Sequence, residues 1–282
     1  MVSSKYGIVT VNYFGSHQTK LMIDSLFAVG IDAPLVIVDN SVSDQELEKL
    51  NKIITNVQYS GDIQVLVSPE NGGYMAGLNM GVDYLKNSYG EYKFDWVVLC
   101  NNDLLFDLSF GDELDSIILD AEDDLGCISP NLVDSKNLNS LNPFLFDRPN
   151  KRIIKVLKLC YSNYLIFLLV ESLRKLKKLF TPKQTSKGGN VDDINKIYAT
   201  HGAIFILKVT LLSKHIDSGY FLYGEEVSVA ERCLSKNLII KYYSQLKVTH
   251  VSHSSTGSVY SYKSFARKKR SIHYVAKKYW FT

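Results

Sequence analysis

The chain has 282 residues and a mass of 31.9 kDa, enough for one large α/β domain or one domain with an insertion. With 46% hydrophobic and 22% charged residues, 6 Pro and 17 Gly, the composition excludes disordered, collagen-like and repeat chains. The four cysteines lie at least 27 residues apart, which excludes a CxxC zinc or redox motif. We therefore expect free thiols in a reducing compartment. The lack of an apolar leader run near the first residue predicts a cytoplasmic protein.

The small net charge of +3 hides an uneven distribution of charge along the chain. Residues 151–183 contain nine Lys or Arg and one acid, and residues 259–282 contain seven Lys or Arg and no acid. The remainder has 16 basic and 28 acidic residues, a net charge of −12. Because such segregation needs an anionic partner or surface, these two segments are a candidate interaction site.

Strand-like and helix-like patterns alternate through the first third of the chain. Short runs rich in Val, Ile and Leu predict buried strands at residues 6–13, 35–39, 63–67 and 96–100. Apolar residues at helical spacing predict helices at residues 16–29, 44–55 and 75–87. This alternation predicts an α/β fold with a mostly parallel central sheet, whose ligands bind beyond the carboxyl ends of the strands.

The alternation stops at the basic segment 151–180. Its longest charge-free stretch, 159–170, has 12 residues and is too short to span a membrane. We therefore expect a pair of basic amphipathic helices lying in a membrane interface. The rest of the chain predicts a loop at 181–190, a strand at 196–207, a helix at 225–237, strand material at 238–251 and a basic aromatic helix at 260–280.

Polar residues follow each of the first four predicted strands. The clusters are Asn12, Asp39 with Asn40, residues 70–73 and residues 101–103. Because the carboxyl ends of parallel strands meet at one edge of a sheet, we expect these clusters to form one ligand site. The clusters at 70–73 and 101–103 are also good turn sequences, so an ordinary turn is the alternative for each.

Seven short motifs occur in one order along residues 5–130 and 196–260. They are IVTVNY, VDNSVSD, NGGYMAGLNMG, LCNND, HGAIFIL, GYFLYGEEVSVAERC and THVSHSSTGS. In this order they resemble a family 2 glycosyltransferase of the GT-A fold, most closely the bacterial rhamnosyl- and galactofuranosyltransferases that build surface polysaccharides. The resemblance implies a nucleotide-sugar-binding half at 1–150 and an acceptor-binding and catalytic half at 191–258. The basic insertion at 151–190 lies outside the resemblance, and a basic helix is expected at 259–282.

The resemblance implies a divalent cation, Mg²⁺ or Mn²⁺, held by Asp103 and His250. Asp103 corresponds to the last acid of the family's metal-binding DxD motif, whose first acid is here Asn101. Asn101 can hydrogen-bond the donor without adding charge. His250 corresponds to the family's late metal-ligand histidine, and His253 is a nearby competitor. Hard cations of this kind favour carboxylate and phosphate oxygens.

The resemblance also implies a general base and an acceptor site. Glu225 and Glu226 open a predicted helix, where carboxylates stabilise the N-terminus in any protein. In the family the second acid of this pair, usually Asp, deprotonates the acceptor hydroxyl, and that residue is here Glu226. Glu225 is placed at the acceptor site with Arg232, which lies one heptad later and is expected to orient it.

The donor site is implied at the ends of the first three strands. Asp39 resembles the residue that binds the pyrimidine nucleoside, and Thr10 and Asn12 lie where the base would be met. Asn71 and Gly73 precede a helix, where glycine permits close approach of a phosphate or sugar to the backbone.

The resemblance implies an inverting, metal-dependent transfer of a sugar, with rhamnose or galactofuranose favoured, from a UDP- or dTDP-sugar to a lipid-linked saccharide. We expect the basic segments to bind an anionic membrane surface and no nucleic acid, because residues 164–170 are too apolar for a solvated charge run. One alternative is a nucleotidyltransferase, but this sequence has no basic glycine-rich loop after the first strand to hold a triphosphate. The other alternative is a non-enzymatic peripheral membrane scaffold. A scaffold would give the three acids Asp39, Asp103 and Glu226 no common function.

Overall fold

The computed structural model describes residues 5–90, 93–180, 196–251 and 261–280, with side chains except at 174–180. The strands are β1 (Tyr6–Asn12), β2 (Leu35–Asp39), β3 (Ile63–Val67), β4 (Trp96–Asn101), β5 (Leu104–Phe106), β6 (Leu125–Asp134), β7 (Lys196–Ile197), β8 (Ile204–Lys208) and β9 (Ile239–His250). The helices are α1 (Ser16–Ala28), α2 (Asp44–Asn56), α3 (Tyr74–Tyr89), α4 (Phe110–Leu119), α5 (Lys151–Cys160), α6 (Tyr164–Phe180), α7 (Glu225–Ser235) and α8 (Tyr262–Val275). The predicted loop at 181–190 and His253 lie outside the described residues.

All these strands belong to one sheet with the order β3-β2-β1-β4-β8-β6-β9-β5, and β7 pairs with β9. The first four strands in that order are parallel, as their βα alternation predicts. Beyond β4 the sheet is mixed, because β8 runs antiparallel to both β4 and β6. The predicted α/β class with a central sheet is therefore confirmed, but the parallel arrangement is confined to one half and to the β6–β9 pair.

Alternate residues of each central strand enter opposite layers of the core. Ile8 of β1 packs with α1, α2 and α4 on one face of the sheet, and Val9 packs with α3 and α7 on the other. This follows from the period of two along a strand. Every residue of β1 and β2 is buried, which explains why both strands are mostly apolar instead of alternating apolar with polar residues.

The prediction of one continuous strand at 196–207 is wrong for the residues between β7 and β8. The chain leaves the sheet between β7 and β8, where Tyr198 and Ala199 pair instead with Leu145 of a preceding loop. The apolar residues of this segment are buried against that loop, so their hydrophobicity does not mark a continuous strand. The break brings His201 and Gly202 to the carboxyl end of β4. Helix α4 and strands β5 and β6 were not predicted.

Helices α5, α6 and α8 form an outer layer, and the helix pair predicted at 151–180 is confirmed as secondary structure. Ile154 of α5 packs with Val275 and Trp280, while Phe167 of α6 packs with Phe265 of α8. Within the described residues, no helix by itself has the length and apolarity to cross a membrane. Lys151–Cys160 and Tyr164–Leu173 meet that criterion only together, and they are bent by 110°.

Candidate active site

A cleft of about 370 Å³ lies at the carboxyl ends of β1, β2 and β4. Its volume falls in the range of small-molecule sites. Seven of the predicted site residues line it: Asn71, Gly73, Asn101, Asp103, Glu225, Glu226 and His250. Four sequence-distant segments thus meet at one place, because the parallel strands end there and the break after β7 opens beside them.

Asp103 and His250 are brought together by strand pairing. β5 runs antiparallel to β9 with Leu104 opposite His250, and the Val251 amide donates a hydrogen bond to the Asp103 carbonyl at 2.9 Å. As a result Asp103 Oδ1 lies 3.2 Å from His250 Nε2. That contact does not have hydrogen-bond geometry, so Asp103 Oδ1 and His250 Nδ1 are buried atoms that make no hydrogen bond to the described residues.

This pair fits two ligands of a divalent cation. A buried carboxylate oxygen without a donor is costly unless a cation or another donor satisfies it. Mg²⁺ and Mn²⁺ commonly take one or two protein ligands and complete their shells with phosphate oxygens and water. No cluster of three or more His, Cys, Asp or Glu ligands occurs in the part of the chain that the structure describes. The donor set therefore suits a cation that is shared with a phosphate-bearing substrate.

Glu226 points its carboxylate into the cleft from the first turn of α7. Its Oε1 accepts a hydrogen bond from the Gly202 amide at 3.3 Å, and a Cβ at position 202 would lie 2.9 Å from the same oxygen. Burial and the charge of Glu225 raise the pKa of Glu226 above the ordinary glutamate value. A largely buried carboxylate with a raised pKa is suited to accept a proton near neutral pH.

Glu225 has a different environment from its neighbour. Its carboxylate accepts a hydrogen bond from the Gly224 amide at 2.6 Å, at the N-terminus of α7, and the residue is buried. Burial raises the pKa of Glu225, and backbone N–H groups of the helix start oppose that rise. The predicted acceptor residue is therefore also the anion that stabilises the helix carrying Glu226.

His201 lines the cleft and was not predicted as a site residue. The Ala203 amide donates to His201 Nδ1 at 3.1 Å, and Asn142 Oδ1 accepts from the His201 amide at 2.7 Å. Burial and the nearby His250 lower the pKa of His201 to about 4, so its ring is neutral. The HGAIFIL motif contained this residue, but only the break before β8 shows that it faces the cleft.

Three predicted donor residues lie beneath the cleft and do not line it. Thr10, Asn12 and Asp39 are completely buried. The side-chain amide of Asn12 donates a hydrogen bond to Asp39 Oδ1 at 2.9 Å, and Ser41 Oγ donates to the same oxygen at 2.6 Å. Asp39 Oδ2 is buried without a partner. The positions of Thr10 and Asn12 therefore do not favour direct contact with a base. The hydrogen bond between Asn12 and Asp39 joins the ends of β1 and β2 beneath the cleft.

Gly73 precedes α3 with φ of +94°, and the packing around it requires a glycine. A Cβ at this position would lie 2.3 Å from the Phe221 carbonyl oxygen. The Gly73 amide donates to Asn71 Oδ1 at 3.1 Å, which fixes the turn. The close approach that this glycine permits is therefore made by the backbone of residue 221.

We expect Gly73→Ala to lower the free energy of unfolding by about 2 kcal/mol or more, because it combines a strained φ with a backbone collision. The matched control is Gly90→Ala, which has the same φ of +94° but no heavy atom within 4 Å. Its expected cost is about 1 kcal/mol. Chemical denaturation of both variants measures the difference, and equal costs would contradict the collision at residue 221.

Arg232 does not orient Glu225, so that prediction is wrong. Its guanidinium donates to the carbonyl oxygens of Leu211, Lys214 and His215 at 3.2, 3.2 and 2.6 Å. These contacts lie in a second, polar pocket beside α7, away from the cleft lining. Heptad spacing predicts that Arg232 shares a helix face with Glu225, but the segment before α7 offers its guanidinium three carbonyl groups instead.

Arg267 of α8 also lines the cleft and was not predicted. Its guanidinium carbon lies 4.7 Å from the centre of the Phe221 ring. The sequence placed this residue in the second basic segment, where nothing distinguished it from six other Lys and Arg residues.

No protein-family model and no curated protein sequence matches this chain significantly. Solved structures do match it. S. aureus TarS 1–349 superposes with a TM-score of 0.56 at 12% identity, over 88% of this chain and 60% of TarS 1–349. The mannosyltransferase PcManGT from Pyrobaculum calidifontis, in complex with GDP-Man and Mn²⁺, gives 0.55 at 11% identity, over 89% and 58%. TarS 1–349 in complex with UDP-GlcNAc gives 0.55 at 13%, over 90% and 61%.

This chain spans about three fifths of the length of these neighbours. The neighbours are glycosyltransferases with a GT-A-like fold. The chain described here has the same mixed α/β fold, built on a central sheet, as these GT-A-like glycosyltransferases.

Proposed function

We propose that the chain is an inverting, metal-dependent glycosyltransferase that uses a nucleoside-diphosphate sugar. The observation that carries the proposal is that Glu226 lines the same cleft as the unsatisfied Asp103–His250 pair. This arrangement supports the assignment of Glu226 as proton acceptor and of Asp103 with His250 as cation ligands that one substrate could reach. Complexes of the structural neighbours with GDP-Man and UDP-GlcNAc support the same substrate class.

The reaction requires one displacement at the anomeric carbon. The acceptor hydroxyl oxygen forms a bond to that carbon while the bond from the carbon to the diphosphate oxygen breaks, and Glu226 takes the hydroxyl proton. The bonding electrons leave with the nucleoside diphosphate. Asp103 and His250 would hold a divalent cation, which when bound neutralises negative charge on the diphosphate.

The donor specificity that we propose is a UDP- or dTDP-sugar, with rhamnose or galactofuranose favoured, in the synthesis of a surface polysaccharide. A donor screen with UDP-, dTDP- and GDP-sugars in the presence of Mn²⁺ tests it by the release of nucleoside diphosphate. Release from a UDP- or dTDP-sugar supports the proposal. Absence of release and of binding for every nucleotide would contradict it.

The acceptor that we propose is a saccharide on a lipid carrier, met at the anionic inner face of the cell membrane. α5 and α6 bury one side against α8 and expose apolar side chains on the other, including Leu159, Leu165 and Leu169 at 63, 74 and 61% exposure. Lys151, Arg152, Lys155 and Lys263 are exposed on the same layer of helices. A surface that is both apolar and basic favours an anionic bilayer.

We expect Leu165→Ser with Leu169→Ser to weaken binding to vesicles of phosphatidylglycerol and phosphatidylcholine by about tenfold or more, at about 1 kcal/mol for each lost leucine. The control pair is Leu108→Ser with Leu119→Ser, which removes leucines at 79 and 68% exposure outside these helices. Co-sedimentation measures the binding, and pure phosphatidylcholine vesicles should retain the parent protein much less. Equal loss in both pairs, or none, would contradict a membrane role for α5 and α6.

A further inference from the structure

The described residues that line the cleft carry more acidic than basic side chains. It contains three carboxylates, from Asp103, Glu225 and Glu226, but Arg267 is the one Lys or Arg among the described lining residues. A nucleoside-diphosphate sugar adds two negative charges to this cleft, and its leaving diphosphate carries a third. Anions of this kind require cationic partners in a site of low dielectric constant.

Arg267 is held in the cleft by an aromatic face and not by an acid. Its guanidinium carbon lies 4.7 Å from the Phe221 ring centre, and it forms no ion pair with any acid of the described ranges. Stacking on a ring occupies the face of a guanidinium and leaves its N–H edge free. That edge donates two parallel hydrogen bonds, which match the geometry of a phosphate.

The segment that carries Phe221 is fixed at several points. Ser271 of α8 donates a hydrogen bond to the Leu222 carbonyl at 2.5 Å, and Lys268 Nζ lies 5.3 Å from the Tyr223 ring centre. On its other side, the Phe221 carbonyl lies against Gly73 and accepts from the Tyr74 amide at 3.4 Å. Arg267 therefore packs against a segment, residues 221–223, that contacts both α8 and the N-terminus of α3.

We propose that Arg267 binds the diphosphate of the nucleotide-sugar donor through its guanidinium edge. The inference rests on the proposed function and assigns a role to one residue of the second basic segment. This role distinguishes Arg267 from the exposed basic residues of α8, such as Arg270, which do not line the cleft.

The experiment measures, by isothermal titration with Mn²⁺, the affinities of the parent, Arg267→Gln, Arg267→Lys and Arg270→Gln for a nucleoside diphosphate and for the corresponding monophosphate. UDP, dTDP and GDP are compared first, and the tightest is used with its monophosphate. We expect Arg267→Gln to weaken diphosphate binding at least tenfold and monophosphate binding less than threefold. Arg267→Lys keeps the charge without the planar fork, so it should recover part of the loss. Arg270→Gln should bind both nucleotides as the parent does.

The outcomes separate this inference from the proposed function. If the parent binds a diphosphate and Arg267→Gln leaves the ratio of the two affinities unchanged, Arg267 does not contact the diphosphate and the inference is overturned alone. If the parent binds none of the three diphosphates, the proposed function fails and the inference fails with it. If Arg267→Gln unfolds at the same temperature as the parent, a general loss of structure is excluded as the cause of weakened binding.

Discussion

Glu226→Gln is expected to reduce the rate of sugar transfer by about 10²- to 10⁴-fold while donor affinity changes little. The amide preserves the size of the side chain but cannot accept the acceptor proton. For the parent we expect kcat to rise with pH through a pKa well above 4.5, because burial and Glu225 raise the pKa of Glu226. Initial rates across pH and titration of the nucleoside diphosphate measure the two effects.

A measurement of stability provides the control for this variant. A carboxyl group whose pKa is higher in the folded than in the unfolded state binds more protons when folded, so its presence costs stability as pH rises above the unfolded value. Glu226→Gln removes this cost. We expect its unfolding midpoint to equal or exceed that of the parent, with a larger difference at pH 8 than at pH 5. Near-normal transfer by a stable Glu226→Gln would assign the base to another group.

Asp103→Asn is expected to abolish the strengthening of nucleoside diphosphate binding by Mn²⁺. The substitution keeps the shape of the side chain, but it removes the only carboxylate placed against His250 among the described residues. A cation-dependent gain of about tenfold to 100-fold in affinity should therefore fall to near unity, whereas affinity measured in EDTA should change little. Titration with and without Mn²⁺ measures both.

The matched control for Asp103→Asn is Asp112→Asn, which removes an exposed charge from the first turn of α4, outside the cleft. Its Mn²⁺ dependence should equal that of the parent. If Asp103→Asn keeps the full effect of Mn²⁺, the assignment of Asp103 as a cation ligand is wrong, and the buried Asp103–His250 contact is structural.

The first four strands could be predicted from the sequence because their evidence is local. β1, β2 and β4 are short strands buried on both faces, whereas the edge strand β3, also predicted as buried, is only partly buried. All four are apolar runs separated by helices with clear periodicity, so the local pattern is enough to find them. The meeting of Asn71, Asn101 and Asp103 followed from the same pattern, since parallel strands bring their carboxyl ends to one edge. The motif order added Glu226 and His250, whose positions depend on pairings that periodicity does not report.

Other features depended on contacts between distant residues. The break between β7 and β8 exists because residues 198–201 pair with the loop at Asn142 and Leu145, and hydrophobicity alone made this segment look like a continuous strand. Arg232 was placed by helical spacing on a face near Glu225, yet carbonyl groups of the preceding loop take its hydrogen bonds. Which partner an arginine reaches is decided by the loops packed around it.

The amino-acid sequence is enough to show that strands and helices alternate, that polar groups follow the strands, and that the positive charge is concentrated in two segments. These are properties of period, residue type and order. The tertiary structure decided that Thr10 and Asn12 lie under the cleft while His201 and Arg267 line it. The physical reason is that periodicity tells which side of an element is buried, whereas the sheet order and the packing of α8 on residues 221–223 decide what that side faces.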